Sequence, residues 1–510
     1  MSTQESVTGF TTADLPDGRI FVAGAFRDGR GAEIESRFPA DNSLNRVMRE
    51  AGPEDLDEAM VAAQKAAANP GWRDLLPHRR ADYLYRIGQG IAENANRISY
   101  IQSRDTGKTL RETHALAMSA AGTFRYFAAA LETMEESITP SRGPWMTFSR
   151  YEPIGVVAAI TPWNSPIASD AQKVAPALAA GNAVVLKPAT WSPLVGLEFA
   201  RIVSEAGLPP GLLSVLPGGG QTIGDGLVSH PATGRISFTG GTKVGHAIAE
   251  KAAQRLVPVS LELGGKSPTI VFPDADMDQA LAGILYGMFS SSGQSCIAGS
   301  RLFIHRSIYK SFLERLVAAT KELRVGHPFD PNTQVGPLIH PAHVTSVARW
   351  VDVARSEGGR ILTGGARPVG DAYKEGYYYL PTVIDGVDNK ATICQEEVFG
   401  PVLVAMSFDT EDDVIRMSND NQYGLACGIW SQDIGRAMAI GKAITAGTVW
   451  INTYKQFSIS TPFGADKESG IGREKGLEGL RAYMRQKSYY LGDPGVYLPW
   501  ALPAMKDRDV

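Results

Sequence analysis

The chain has 510 residues, 44% of them hydrophobic, which is too many for one core and implies two or three domains. A formal charge of −4 gives no electrostatic reason to expect nucleic acid. No segment reaches the roughly 18 to 20 apolar residues needed to cross a bilayer.

The first residues, Met1 to Asp14, are polar and acidic and lack the pattern of a signal peptide. Amphipathic helices are predicted for Glu54 to Ala68 and Arg79 to Asn96. From about residue 152 short apolar runs begin to alternate with helical stretches. The runs are Ile154 to Ile160, Ala183 to Lys187, Leu213 to Leu216 and Arg235 to Thr239; the helices are Ala171 to Ala180, Leu194 to Ala206 and Lys243 to Ala253. That rhythm predicts an α/β fold built on a parallel sheet covered on both faces. A second α/β series follows. Thr269 to Phe272 reads as a strand, Asp274 and Asp276 offer caps to a helix reaching Phe289, and Arg301 to His305, Val402 to Phe408 and Thr448 to Ile451 read as further strands. The boundary between the two lobes falls near Glu262 to Lys266.

Three cysteines, Cys296, Cys394 and Cys427, form neither a CxxC pair nor a His/Cys cluster. They predict a reducing, cytoplasmic setting with no disulfide framework and no metal site. Cys296 ends the string Ser292-Gly-Gln-Ser-Cys296 among residues too small to crowd it, and lies 34 positions beyond Glu262 in Leu261-Glu-Leu-Gly-Gly-Lys-Ser267. A thiol nucleophile and a carboxylate base on the two walls of one cleft suit covalent catalysis on a carbonyl. Most cysteines are inert and buried, so the pair needs company.

Some company is local. Asn164, in Pro162-Trp-Asn-Ser-Pro166, follows an apolar strand at the end where open α/β sheets bind ligands. Its amide could donate to an oxyanion; alone, an Asn there commonly caps a helix. Gly240 and Gly241 open a helix after a strand, and Gly218, Gly220 and Gly224 form a second glycine-rich βα turn; both could receive a pyrophosphate. Lys187 ends a strand within reach of ribose hydroxyls. Gly107-Lys-Thr109 and Gly265-Lys-Ser267 lack the first glycine of a phosphate-binding loop, and no GxSxG or HExxH string occurs. In Gln395-Glu-Glu-Val-Phe-Gly-Pro401, carboxylates and an aromatic precede a Gly-Pro turn.

In this order and spacing the strings closely resemble the aldehyde dehydrogenase superfamily, from about Glu54 to Leu491. The most specific pieces are Leu261 to Ser267, Gly293 to Cys296, Glu396 to Pro401, Pro462-Phe-Gly464 and Ser469 to Glu474. The resemblance implies two Rossmann-like parallel-sheet lobes and a small bridging sheet. Residues 1–131 and 152–262 would bind the dinucleotide, 263–478 would form the catalytic domain, and 132–151 with 479–510 would pair subunits into a homodimer or homotetramer. It implies an aldehyde substrate, NAD or NADP as cofactor, and no metal. Cys296 would attack the aldehyde, Asn164 would hold the oxyanion, and Glu262 would activate the water that hydrolyses the thioester. Lys173 and Glu474 would relay protons. Trp163, Lys187, Gly220, Gly224, Phe238, Gly240, Gly241, Glu397 and Phe399 would contact the cofactor.

Two departures from the family pattern carry expectations. Thr190 stands where many NAD-using members have a glutamate that would repel a 2′-phosphate, so NADP should be tolerated. Ser165, Ser169 and Gln172 replace bulky apolar groups on one helical face, with Phe457 and Phe463 as an opposing aromatic wall. A bulky or polar aldehyde, aromatic or a semialdehyde, is therefore expected. The alternatives are a CoA-acylating enzyme, against which Glu262 argues, and a non-catalytic relative of the same fold.

Overall fold

The structure, a computed structural model, describes residues 9–494. The outer ends of the terminal expectations, residues 1–8 and 495–510, lie outside the described residues. Two large sheets dominate. The first runs Ala25–Arg27, Ile20–Val22, Leu213–Val215, Ala183–Lys187, Val156–Ile160, Thr233–Thr239, Val259–Glu262 and Gly470–Ile471. Its middle strands, from Leu213–Val215 to Val259–Glu262, are parallel. The edges are antiparallel. Those edge strands leave no trace in the sequence pattern, because a run of two or three residues shows no apolar period.

Burial explains why the middle strands read so clearly. Every residue of Val156–Ile160 and of Ala183–Lys187 is buried, and each fully buried Val, Leu or Ile contributes about 1.5–3 kcal/mol. Asn182 fixes the register at one end: its side-chain oxygen accepts the N–H groups of Ile154 at 2.7 Å and Gly155 at 2.8 Å. A charged residue in the interior of either run, short of the Lys187 that ends one of them, would leave an unpaired charge inside the sheet.

The spatial order of the parallel strands reverses between Val156–Ile160 and Thr233–Thr239. Such a switch point opens a crevice at the carboxyl ends of the strands. Trp163 and Asn164 follow one of these strands, and Gly240 and Gly241 follow the other.

The second sheet runs Arg360–Thr363, Thr382–Asp385, Val402–Phe408, Arg301–His305, Pro268–Val271, Ala426–Trp430 and Thr448–Ile451. It is parallel except at Arg360–Thr363. Residues 263–267 link it directly to the first sheet, so the carboxyl end of Val259–Glu262 meets the amino end of Pro268–Val271. The buried Arg301 side chain clamps this crossing, donating to the carbonyls of Lys266 at 2.9 Å and Ser418 at 2.8 Å. The chain later returns to the first sheet, where Gly470–Ile471 pairs with Val259–Glu262.

A third, antiparallel sheet joins Ser137–Thr139, Trp145–Pro153 and Met484–Gly492. It leaves Ile138 and Tyr490 three-quarters exposed.

Two local expectations are corrected. Asp276 caps the helix Met277–Phe289 through the N–H groups of Asp278 and Gln279, whereas Asp274 accepts from Ser431, Asp433 and Arg436 instead. The helix expected over Arg79 to Asn96 is Pro77–Glu93. It stops at Asn94, whose side chain donates to the Gly90 carbonyl at 2.8 Å, and a new helix, Ala95–Thr106, begins at the next residue.

Candidate active site

The thiol comes first because its approach is the most constrained. After helix Met277–Phe289, Ser291 (φ 58°), Ser292 (φ 56°) and Gly293 (φ 69°) all take left-handed backbone. Such a conformation costs a serine on the order of 1 kcal/mol and persists only where its surroundings impose it. Three tethers do so here. The Ser291 N–H donates to the Glu112 carboxylate at 2.6 Å, the Ser292 hydroxyl donates to the Gly336 carbonyl at 2.8 Å, and the Gln294 side chain accepts the Ile339 N–H at 2.9 Å. Cys296 thus emerges half-buried from a fixed loop, while Cys394 and Cys427 are fully buried. Burial, then the Glu397 and Glu262 carboxylates, push the Cys296 thiol up to about 12.

Glu262, the last residue of its strand, is buried, with 5% exposure. Neither carboxylate oxygen meets a hydrogen-bond donor among the described residues. Burial, reinforced by the Glu474 charge, holds its pKa well above the usual carboxylate range, and Lys173 opposes that shift. Glu474 is handled differently. Lys173, on helix Pro166–Ala179, donates to it at 2.5 Å and also to the Ser237 hydroxyl at 3.2 Å. One buried carboxylate is therefore locked in an ion pair, and its neighbour faces open space.

That space is a cavity of about 390 Å³. Cys296, Glu262, Asn164 and Glu474 all line it. So do Ser165, Ser169 and Gln172 on one side and Phe457 and Phe463 on another. The hydroxyls of Ser165 and Ser169 lie 3.0 Å apart, and the two phenylalanine rings meet edge to face at 5.5 Å. Asn164 caps no helix. Its amide donates across the seam to the Gln294 carbonyl at 3.1 Å, and its second N–H remains free for another acceptor.

The two glycines between the sheets bring the walls together. A Cβ on Gly265 would collide with the Cys296 carbonyl, and one on Gly264 would collide with the Glu397 carboxylate. Glu397 accepts the Gly265 N–H at 3.0 Å, and burial raises its pKa to about 7. Phe399 (φ 56°) turns its ring against Trp163, edge to face at 5.2 Å.

The remaining predicted residues do not line this cavity; they stand along the carboxyl edge of the first sheet. Lys187 is buried, donates to the Pro188 carbonyl at 2.8 Å, and is pushed by burial down to about 8. The Thr190 hydroxyl donates to the Gly218 carbonyl at 3.2 Å, tying two βα turns together. Gly220–Gly224 form a wide helical turn, and Gly241 caps the twelve-residue helix Thr242–Ala253. A Cβ on Gly240 would strike the Phe238 ring, whereas one on Gly220 or Gly241 would meet nothing within 4 Å. No neighbouring protein atom requires a glycine at those two positions, and the open backbone there leaves room for a ligand to lie against it. This edge fits a dinucleotide.

Several residues escaped the sequence reading. Glu50 faces Lys187 electrostatically. His343 bonds the Phe399 carbonyl at 2.7 Å. Lys108, Glu112, Tyr286, Lys455 and Lys475 also line the cavity. Gly107-Lys-Thr109 is a helix junction: Gly107 (φ 75°) ends one helix, and Thr109 with Glu112 caps the next. None of these lysines is singled out by the sequence as a cavity residue, although Lys108 stands in the Gly107-Lys-Thr109 string and Lys475 directly follows Glu474.

Among the described residues no helix is long and apolar enough to cross a membrane. Residues 26–489 match the profile described as "Aldehyde dehydrogenase family". The chain is 40% identical to aldehyde dehydrogenase 1 of Tanacetum cinerariifolium over 490 residues, covering 96% of this chain and 97% of that one. It is 39% identical to a betaine aldehyde dehydrogenase of Mesorhizobium japonicum, covering 95% and 99%. Among solved structures, the betaine aldehyde dehydrogenase of Staphylococcus aureus in complex with NAD+ superimposes with a TM-score of 0.95 at 34% identity, covering 98% and 99%.

Proposed function

Given that the chain belongs to the aldehyde dehydrogenase family, we propose that it oxidises an aldehyde to a carboxylic acid through a covalent intermediate on Cys296. The observation that carries this reading is the convergence of Cys296, Glu262 and Asn164 on one cavity at the seam between two sheets.

Burial pushes the Cys296 thiol up to about 12, so its proton must pass to a base lining the cavity as the sulfur adds, as thiolate, to the aldehyde carbon. Thiolates are far stronger nucleophiles than alcohols near neutral pH and leave a cleavable acyl group. Asn164 donates its free amide N–H to the oxyanion, a contact worth about 3 kcal/mol in sites of this kind. Lys187, Gly220, Gly224, Gly240, Gly241, Glu397, Phe399 and Trp163 hold a nicotinamide dinucleotide along the first sheet, with Phe238 behind Gly240. When bound, that group supplies the two-electron oxidation. Glu262 then takes a proton from the water that attacks the Cys296 thioester. Its raised pKa suits this task, because it makes Glu262 a stronger base than an ordinary carboxylate. The Lys173–Glu474 pair sits beside Glu262 and gives the proton a way out.

The cofactor is NAD, as in the staphylococcal relative, with NADP tolerated because Thr190 places no carboxylate beside the ribose. The substrate is bulky or polar, in keeping with the Ser165–Ser169–Gln172 face and the Phe457–Phe463 wall. The exposed apolar groups of the third sheet, Ile138 and Tyr490 among them, pair subunits into a homodimer or homotetramer.

Incubation with aldehyde and NAD in the absence of CoA tests the chemistry. One acid should form per NADH, and Cys296→Ser should lower kcat by about a thousandfold or more. Acid-free turnover that needs CoA, or full activity in the variant, defeats the reading.

A further inference from the structure

Resting on the aldehyde-oxidising reading above, we propose that the enzyme selects aldehydes that carry a carboxylate, held in the cavity by the ammonium groups of Lys455 and Lys475. Both side chains line the same cavity as Cys296. Both residues hold left-handed backbone, Lys455 at φ 54° and Lys475 at φ 60°, which is unfavourable for a lysine. Two such lysines on one cavity mark a site where side-chain direction outweighs backbone comfort.

Neither forms an ion pair among the described residues. The Lys455 ammonium donates to the Ser290 hydroxyl at 2.9 Å, leaving two of its three N–H groups unspent. The Lys475 ammonium lies 3.9 Å over the Phe457 ring and 5.2 Å from the Phe463 ring. Burial depresses both lysines, to about 7 and about 8 respectively, so a bound anion would be what holds them fully charged near neutral pH. A third lysine, Lys108, lines the cavity too.

The cavity's carboxylates act on these lysines from a distance, Glu112 on Lys455 and Glu474 and Glu262 on Lys475, but none forms an ion pair with either among the described residues. Glu474 is paired with Lys173. Glu112 is taken up by the Ser291 N–H and by the N–H and hydroxyl of Thr109. Glu262 is the general base. An incoming carboxylate supplies the ion partner that neither lysine has.

The aromatic wall supports the same choice. A quaternary ammonium aldehyde binds by stacking its cation on open aromatic faces. Here the chain's own Lys475 already covers them. The cationic substrate named for two of the relatives is therefore disfavoured in this chain.

A matched panel tests the proposal: ω-oxo acids of three to six carbons, their uncharged methyl esters, and betaine aldehyde, each with NAD. At least one oxo acid should exceed its ester in kcat/KM by about tenfold or more, mainly through KM, and betaine aldehyde should fall below both. In Lys455→Met and Lys475→Met the acid-to-ester ratio should collapse towards unity, while Lys475→Arg should retain part of it. The wild-type panel is decisive even if a variant does not fold. Esters oxidised as well as acids, or a preference that survives both Met variants, overturns the inference and leaves the aldehyde-oxidising reading intact. Failure to oxidise any aldehyde removes both.

Discussion

The two walls of the cleft are built on different plans. The wall along the first sheet is made of strand ends, βα turns and glycines with open faces, so what it offers a ligand resides largely in the backbone. The wall around the cavity is made of side chains from segments far apart in sequence: Glu112 from one helix, Gln172 from another, Tyr286 from a third, and Lys455 and Lys475 from loops. A backbone wall serves one invariant ligand, whereas a side-chain wall can be rewritten residue by residue. The substrate should thus be read from the second wall and the reaction from the seam between them.

Breaking the seam has the largest effect. Glu262→Gln should slow steady-state turnover by about 10²–10⁴-fold, the range general-base catalysis contributes. A first rapid burst of NADH should survive, because the acylation half does not use this residue. In the unaltered enzyme the base form of Glu262 is needed, so kcat should fall as pH drops through its raised pKa, above the usual carboxylate range; the variant should lose that acid limb. Stopped-flow NADH formation across pH measures both. A variant with neither burst nor altered profile would place the base elsewhere.

The contact that spans the two walls comes next. Asn164→Ala removes the amide bonded to Gln294 and should lower kcat/KM by about 10²-fold for every aldehyde alike. A loss confined to particular aldehydes would make Asn164 part of the substrate wall and blur the division drawn here.

The smallest effect lies on the backbone wall alone. Thr190→Glu places a carboxylate three residues beyond Lys187 and should lower kcat/KM with NADP by about tenfold or more, relative to NAD. An unchanged NADP-to-NAD ratio would mean that another group, Glu50 being the candidate facing Lys187, sets that preference.

The same division governs what could be read in advance. Parallel strands with buried interiors announce themselves as short, largely apolar runs, which is why Ala183–Lys187, Arg301–His305 and Val402–Phe408 were legible to the residue. Gly264, Gly265 and Cys296 were legible as a motif, since close backbone approach restricts the choice of residue. Lys108, Lys455 and Lys475 were not. Nothing in a local pattern distinguishes a lysine aimed into a cavity from one in solvent, and the left-handed backbone that aims two of them is set by tertiary contacts. Asp274 was misread for a related reason: its partner, Arg436, is 162 positions away.

The seam is sewn twice. The chain passes from the first sheet to the second through residues 263–267, and returns when Gly470–Ile471 pairs with Val259–Glu262 and the Ser469 carbonyl takes the Leu263 N–H at 2.9 Å. A single hinge would let the halves gape; a doubled stitch resists that, so molecules must enter and leave through the mouths of the cleft. A peptide bond severed at the first crossing would still leave nucleophile and base stitched face to face by the second.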